Sequence, residues 1–403
     1  MFPSKIFENK RILVGISGGI AAYKICELIR QLVTLGAEVR VMVTKSAEKF
    51  ITRYTLETLS GHPVYSEMFP EDQFVATHHI ALADWAEAAI IAPATANIIG
   101  KLANGIGDDF VSTTAMALGC PVVIAPAMNN TMWANPAVQE NMNKLVKYGY
   151  HICPPEEGFL AEGYSGIGRL ARLEYLVQYL YRACHPAAES LKGKNVLVTA
   201  GRTEEAIDPV RIFTNRSTGK MGFAMAVEAF ARGANVTLIY GPSSLVEPDS
   251  VRSISVSTAT EMFRQVMKYG QKTNIFIAAA AVADFTPVKT CQQKIKKKSG
   301  NLKLDFSPAK DILAEMGKKK KENQILIGFA VETESEEESA RRKLKGKNLN
   351  VVVLNNPLEK GAGFGSETNR VTLFNSKGEK KRLSKMYKLD IAREIFNFLL
   401  KSR

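Results

Sequence analysis

Short apolar runs alternate with amphipathic stretches along the first half of the chain. KRILVGIS (10–17), EVRVMVT (38–44), AAIIAPA (88–94) and PVVIAPA (121–127) are apolar runs without a regular polar face. Runs of that length and pattern predict strands buried on both sides of a sheet. Between the first two, GGIAAYKICELIRQLVTLG (18–36) repeats apolar residues at helical spacing and stops at Gly36, and 128–149 predicts a further helix. Strand–helix–strand alternation predicts a parallel sheet with helices on both faces.

The pattern starts again at GKNVLVTAG (193–201). The glycine-bounded helix GKMGFAMAVEAFARG (219–233) and the strand NVTLIYG (235–241) follow. TNIFIAAAA (273–281) and LNVVVLN (349–355) predict buried strands, and RVTLFNSKGEKKRL (370–383) alternates around a Ser-Lys-Gly turn, as a hairpin does. MYKLDIAREIFNFLLKSR (386–403) predicts an amphipathic helix. RACHPAAES (182–190), with its proline and small residues, reads as a linker. The fold class is therefore α/β, with two doubly wound, Rossmann-like domains at 1–185 and 190–403.

Composition narrows the function classes. A chain of 403 residues, 46% hydrophobic and 23% charged, has the balance of a soluble globular protein with about two domains. No apolar run is long enough for a bilayer span, and MFPSKIFENK lacks the apolar core of a signal peptide. Five cysteines without a CxxC argue for a reducing compartment and against a disulfide frame or zinc site. Together these predict a cytoplasmic protein without membrane attachment. The net charge of +13 leaves two readings, a nucleic-acid surface or sites for anionic small molecules. No helix-turn-helix, zinc finger or aromatic-interleaved basic patch occurs, so no specific nucleic acid is expected. All five histidines precede residue 186, so an enzyme in the second half works without histidine.

Candidate chemistry collects at the strand ends. GISGGIAAYK (15–24) sits where a strand turns into a helix. Its glycines admit a ligand to the backbone and the helix start offers N–H groups to a phosphate, although a tight turn alone would use the same residues. It is not GxGxxG, so a mononucleotide fits better than a dinucleotide. Thr44-Lys45-Ser46, Pro93 to Asn97 and Pro126 to Asn130 follow strands on the same predicted rim, where ligands of open α/β sheets bind. ATHHIALADWAE (76–87) places His78 and His79 at a helix start with Thr77 as the predicted N-cap. A histidine there suits a general base, or is a solvated surface residue. In the second half RIFTNRSTGKMG (211–222) brings phosphate and carboxylate partners to a helix start, AAAAVADF (278–285) ends a strand in small residues and Asp284, and GFAVET (328–333) precedes spaced lysines. KIKKKS (294–299) and KKKK (318–321) read as solvated charge runs.

These motifs, in this order, carry a family resemblance. GISGGIAAYK, His79 to Ala86, Ala92-Pro93-Ala94-Thr95-Ala96-Asn97 and Pro126-Ala127-Met128-Asn129 resemble the flavin-dependent cysteine decarboxylases. With the second half included, the chain from about Lys10 to the last helix resembles the bacterial bifunctional phosphopantothenoylcysteine decarboxylase/phosphopantothenate–cysteine ligases of coenzyme A synthesis. The resemblance implies a flavodoxin-like domain that binds FMN, with Ser17, Gly18 and Gly19 near the phosphate and Thr44, Asn97, Ser112 and Thr113 as further contacts. His79 would be the base, and Asn129 would hold the substrate's carboxylate and amide. The flavin supplies the electron sink that loss of CO2 requires, and takes part in a final reduction that needs a proton on carbon.

FLAEGYSGIGRL (159–170) resembles the family's substrate flap, with one departure. Where many members carry a cysteine, taken as the acid of the final reduction, this chain has Glu162. Either Glu162, desolvated under a closed flap, donates the proton, or it is an exposed loop residue. For the ligase the resemblance implies CTP with Mg²⁺, and an acyl-cytidylate of 4′-phosphopantothenate that cysteine attacks. Asn215 would bind the acyl-cytidylate, and Ala278, Ala279, Ala280, Asp284, Lys310, Asp311, Ile312, Leu313, Phe329, Lys343 and Lys347 would line the CTP site. Lys294 matches the lysine that opens the family's KxKK loop, and Asn350 stands where an aspartate is usual. Metal ligands are not legible. A homo-oligomer is implied, a dodecamer of decarboxylase trimers and ligase dimers.

Overall fold

The computed structural model describes residues 4–69, 77–296, 302–331, 336–355, 363 and 365–401. Lys297 to Ser299 of the basic run, Glu332-Thr333, and Ser402-Arg403 of the last helix lie outside them. The chain divides into two compact units, Lys5–Ala188 and the residues from Glu189 onward.

In the first unit β1 (Arg11–Ile16), β2 (Glu38–Val43), β3 (Val64–Tyr65), β4 (Ala88–Ala94), β5 (Val122–Pro126) and β6 (His151–Ile152) form one parallel sheet, ordered β3-β2-β1-β4-β5-β6. Without the two-residue edge strand β3 this is the flavodoxin-like order, whose ligands bind where β1 and β4 part. β4 is buried at every position, as its uninterrupted apolar run requires. The helices are α1 (Ile25–Thr34), α2 (Arg53–Ser60), α3 (His78–Trp85), α4 (Ala96–Asn104), α5 (Phe110–Ala117), α6 (Asn130–Ala134), α7 (Pro136–Lys147) and α8 (Leu173–Ala183). α1 packs on α2 and α8, while α5 packs on α3 and α4, and α4 on α7. An antiparallel hairpin, β7 (Glu156–Phe159) and β8 (Ser165–Arg169), stands apart from the sheet.

The helix predicted over 128–149 is two helices. Pro136 has no N–H and holds Asn135 extended, so the chain breaks there; Asn135 then caps α7 through Ala137 N at 2.9 Å. The helix predicted from residue 18 begins instead as a 3-10 turn, Ile20–Lys24. Thr77 does stand at the start of α3, but its side chain makes no capping bond.

The second unit contains β9 (Asn195–Ala200), β10 (Glu204–Ala206), β11 (Ile212–Thr214), β12 (Asn235–Tyr240), β13 (Arg252–Ser255), β14 (Ile275–Ala278), β15 (Phe285–Pro287), β16 (Phe306–Pro308), β17 (Ile325–Val331), β18 (Val351–Asn355), β19 (Thr368–Asn369), β20 (Val371–Asn375) and β21 (Lys380–Arg382). The order β13-β12-β9-β14-β17-β18 is parallel and is the dinucleotide-fold order 3-2-1-4-5-6. The β20–β21 hairpin continues it antiparallel, as predicted. β17 is a seven-residue strand that the sequence reading does not predict. The helices are α9 (Lys220–Ala231), α10 (Ala259–Gly270), α11 (Ile312–Lys318), α12 (Glu336–Gly346) and α13 (Lys388–Lys401). α9 packs on α13 through the buried Arg232, which binds Glu228 at 2.6 Å and Asn397 at 2.6 Å. Among the described residues no helix is long and apolar enough to cross a membrane.

Loop closure at the rim of this second sheet leaves no space at Gly241, where a Cβ would stand 1.6 Å from the Arg202 carbonyl oxygen. Gly241→Ala is expected to lower stability by about 3 kcal/mol or more, read as a fall in melting temperature. Gly119→Ala, whose Cβ meets nothing within 4 Å, should melt like the parent.

Candidate active sites

The first site is a cleft of about 1390 Å³ at the carboxyl end of the first sheet, where β1 and β4 separate. Ser17, Gly18, Thr44 and Asn97 line it, as the sequence suggests. A Cβ on Gly18 would fall 2.4 Å from Ser46 Cβ, so glycine alone lets these two loops approach. Ser17 has a different part from the expected one. Its buried hydroxyl donates to Pro93 O at 2.7 Å and accepts from Thr95 N at 3.0 Å, and its own N–H bonds Pro93 O at 3.3 Å. It ties the β1 loop to the start of α4, whose N-cap is Thr95.

Gly19, Ser112 and Thr113 do not line the cleft. Ser112 is buried in a reciprocal cap with Asp109, its N–H on Asp109 Oδ1 at 2.9 Å. Thr113 Oγ1, His78 Nε2 and His79 Nδ1 are buried atoms without a partner, the condition that a bound polar group would relieve. The sequence marks Lys45 on the rim, and the structure adds two cleft cations, Arg53 and Lys101. Lys101 sits 2.6 Å from both Asp108 and Asp109; burial pulls its amine down, and the two carboxylates outweigh that and hold it above its usual value.

The flap is the β7–β8 hairpin, and it lies on the loop after β5. Gly168 O accepts Met128 N at 2.9 Å, and a Cβ on Gly168 would be 2.1 Å from Met128 O. Asn129 caps α6 through its Oδ1, 2.8 Å from Thr131 N, and its Nδ2 donates to Tyr164 Oη at 2.6 Å. Glu162 is exposed at the hairpin turn, which is the second of the two readings its sequence leaves open.

The second site is a cleft of about 440 Å³ where β9 and β14 part. Asn215, Ala278, Ala279, Ala280, Asp284, Lys310, Asp311, Ile312, Leu313, Phe329, Lys343 and Lys347 all line it, although five separate stretches of sequence supply them. Asn215 Nδ2 donates to the carbonyls of Ala281 at 3.1 Å and Val282 at 3.2 Å, which pins the small-residue turn. Asp311 caps α11 through Ala314 N and pairs with Lys347 at 2.6 Å; burial raises its pKa, and those bonds reverse the shift and hold it low. Lys294 is exposed and is not among the lining residues.

The sequence places Lys220 at its helix start; Asn355, Asn369 and Lys388 are further members of this cleft that it does not mark. Asn355 Oδ1 is buried without a partner. Lys388 opens α13 and is 4% exposed; burial and the neighbouring Lys220 charge push it down to about 8, against the pull of Glu367. Its signal in the sequence was a lysine on the apolar approach to an amphipathic helix, which a charge count treats as surface.

Comparison with known proteins bears on both sites. Residues 3–185 match the Flavoprotein family, and residues 191–402 match the DNA/pantothenate metabolism flavoprotein C-terminal domain family. The coenzyme A biosynthesis bifunctional protein CoaBC of Bacillus subtilis (strain 168) is 48% identical over 394 residues, 97% of this chain and 96% of that protein. Its counterpart in Escherichia coli (strain K12) is 41% identical over 92% of each. A crystal structure of the C-terminal domain of a CoaBC protein matches at 37% identity and a TM-score of 0.46, covering 53% of this chain and all of that one. The FMN-dependent cysteine decarboxylase SpaF matches at 32% identity and a TM-score of 0.39, covering 43% of this chain and 97% of its own.

The buried Lys388 generates a stability prediction. Its pKa is lower in the fold than the ordinary 10.5, so the unfolded chain holds the proton more tightly and the fold is destabilised while the amine is charged. That cost, up to about 3 kcal/mol, is full below about pH 8 and vanishes above pH 10.5. Lys388→Met should therefore melt higher than the parent at pH 7, with the gap closing as pH rises through that window. A gap that stays constant with pH would refute the assignment.

Proposed function

From the premise that this chain belongs to the family of coenzyme A biosynthesis bifunctional proteins, with a flavoprotein decarboxylase domain and a pantothenate-metabolism ligase domain, we propose the following division of labour. The second unit joins cysteine to 4′-phosphopantothenate through an acyl-cytidylate made from CTP. The first unit, with FMN, decarboxylates the resulting 4′-phosphopantothenoylcysteine to 4′-phosphopantetheine. The observation that carries the reading is the convergence of twelve sequence-predicted residues, from Asn215 to Lys347, on one cleft.

In the ligase, the carboxylate of 4′-phosphopantothenate attacks the α-phosphate of CTP, pyrophosphate leaves, and the amine of cysteine attacks the mixed anhydride. Lys310, Lys343 and Lys347 on the cleft wall meet the charge that develops on phosphate, and preorganised cations of this kind are the largest aid to such a step. The small side chains of Ala278, Ala279 and Ala280 let a planar base or a phosphate come near the backbone. Among the described residues no group of three His, Cys, Asp or Glu could hold a metal, so Mg²⁺ is expected to arrive on the triphosphate. Lys294 is assigned to the ligase from the family motif alone.

In the decarboxylase, the cleft along Ser17, Gly18, Thr44 and Asn97 would hold FMN, with Lys45 and Arg53 as cations for its phosphate and Gly19, Ser112 and Thr113 behind. Bound there, the flavin supplies the electron sink for loss of CO2. The partnerless Nδ1 of His79 supports its role as the base, and Asn129 offers an N–H donor to the substrate. Glu162 is assigned the final proton transfer, and its burial would come with flap closure. A cytoplasmic location and an assembly of decarboxylase trimers and ligase dimers complete the proposal.

Mass spectrometry of products tests it, with purified protein, FMN, CTP, Mg²⁺, 4′-phosphopantothenate and cysteine. The parent should yield 4′-phosphopantetheine. His79→Gln should slow decarboxylation by about 100-fold or more and accumulate 4′-phosphopantothenoylcysteine, with the ligase rate unchanged. Glu162→Gln should accumulate a decarboxylated product two hydrogens lighter than 4′-phosphopantetheine; full turnover in that variant removes Glu162 from the mechanism.

A further inference from the structure

One flap residue reaches the decarboxylase's candidate substrate asparagine, and it is Tyr164 rather than Glu162. Tyr164 Oη stands 2.6 Å from Asn129 Nδ2 and 3.1 Å from Asn130 Oδ1. The direction of each bond is fixed. Asn129 Oδ1 is committed to Thr131 N at 2.8 Å, so the amide presents only its N–H face to the flap. The phenol oxygen therefore accepts from Asn129, and the phenol hydrogen is left to donate to Asn130 Oδ1. In this contact Asn129 is the donor and the phenol oxygen takes the place of an acceptor, while the phenol hydrogen is held by Asn130 Oδ1.

The flap does not need this contact to stay in place. The Met128 N–Gly168 O bond and the close approach of Gly166 to the Asn130 side chain, 2.9 Å for an added Cβ, hold it there independently. A tyrosine hydroxyl needed only for docking would duplicate them. The phenol is exposed to solvent, and neither it nor Asn129 is among the residues lining the first unit's cleft.

We propose that Asn129 Nδ2 and Tyr164 Oη form a donor pair for the carboxylate of the decarboxylase substrate. When the carboxylate enters, Asn129 transfers its N–H from the phenol oxygen to a carboxylate oxygen, and the phenol turns its hydrogen from Asn130 to the same group. No bond is made or broken covalently. The pair selects ligands that still carry the carboxylate, and loses its purchase once CO2 has gone, which favours release of the later species. This inference rests on the decarboxylase reading of the site, and on Asn129 as its substrate asparagine.

The test compares Tyr164→Phe with the parent, in the full chain loaded with FMN. The readouts are KM and kcat for 4′-phosphopantothenoylcysteine and the inhibition constant of 4′-phosphopantetheine, which lacks the carboxylate. Loss of one hydrogen bond to a charged group should raise KM about tenfold or more, with the inhibition constant of the carboxylate-free ligand, flavin absorbance and ligase rate unchanged. An equal weakening of both ligands would make Tyr164 a structural flap contact and overturn the proposal. So would an unchanged KM, or a lower one, which would make the phenol a placeholder that substrate merely displaces. Asn129→Ala separates the two levels: if it too leaves KM and turnover unchanged, the reading of the site fails, whereas a raised KM there beside a normal Tyr164→Phe sinks only the donor pair.

Discussion

Both sites depend on one constraint, that neighbouring parallel strands send their chains to opposite sides at the same edge. A crevice opens there only if the strand ends stay together while the loops diverge. In the first unit Ser17 does this, with its hydroxyl and N–H both bonded across to Pro93 and Thr95. In the second unit Ala279 N bonds Thr199 O at 3.2 Å and Ala281 N bonds Gly201 O at 2.8 Å, carrying the β9–β14 pairing past the ends of the strands. Asn215 then fastens the turn from outside. The residues nearest each crevice are therefore partly scaffold, and the ligand-facing groups stand one layer out, on the loops that the clamp frees.

That layering decides what could be read from sequence. The strands were legible because their apolar runs admit no other placement, and so was the rim of four loops, which follows from where strands end. Twelve members of the second unit's cleft were legible because a motif names residues by chain position, which is also what the sheet order assembles. Ser17 was legible only in part: a polar residue in a glycine-rich loop marks the cleft wall, and its tertiary partners Pro93 and Thr95, far along the chain, add the clamp. Lys388 and Asn355 were invisible because nothing local marks them; only the fold brings the start of α13 and the end of β18 to one cleft. β17 was hidden because GFAVET drew attention as a motif, although Ile325–Val331 has the apolar run of a central strand.

The flap shows how a substitution at a functional position can be local. Gly166 lies close against Asn130 and Gly168 O accepts Met128 N, so the base of the hairpin rests on the loop that carries Asn129, while the turn at Glu162 and Gly163 lies beyond these contacts. Gly163 takes a φ of +90°, so the turn is built from its glycine rather than from residue 162. A cysteine or a glutamate can therefore occupy position 162 without disturbing the fold, while the chemistry available at the tip changes from a thiol to a carboxylate.

Charge explains the absence of histidine from the second unit. The cleft gathers Lys220, Lys310, Lys343, Lys347 and Lys388, a concentration of cations that would repel itself if left bare. Two carboxylates temper it. Asp311 holds Lys347 at 2.6 Å while capping α11, and Glu367 pairs with Lys220, which also donates to Gly365 O at 3.1 Å. Lys347 and Lys220 are thereby ordered on the cleft wall, so an anion that bound them would cost less side-chain freedom than one binding free lysines. Lys388 carries the opposite design: it is desolvated, its protonated form is disfavoured, and an anion beside it would raise the amine back toward its ordinary value. A buried lysine of this kind costs the fold stability while it is charged.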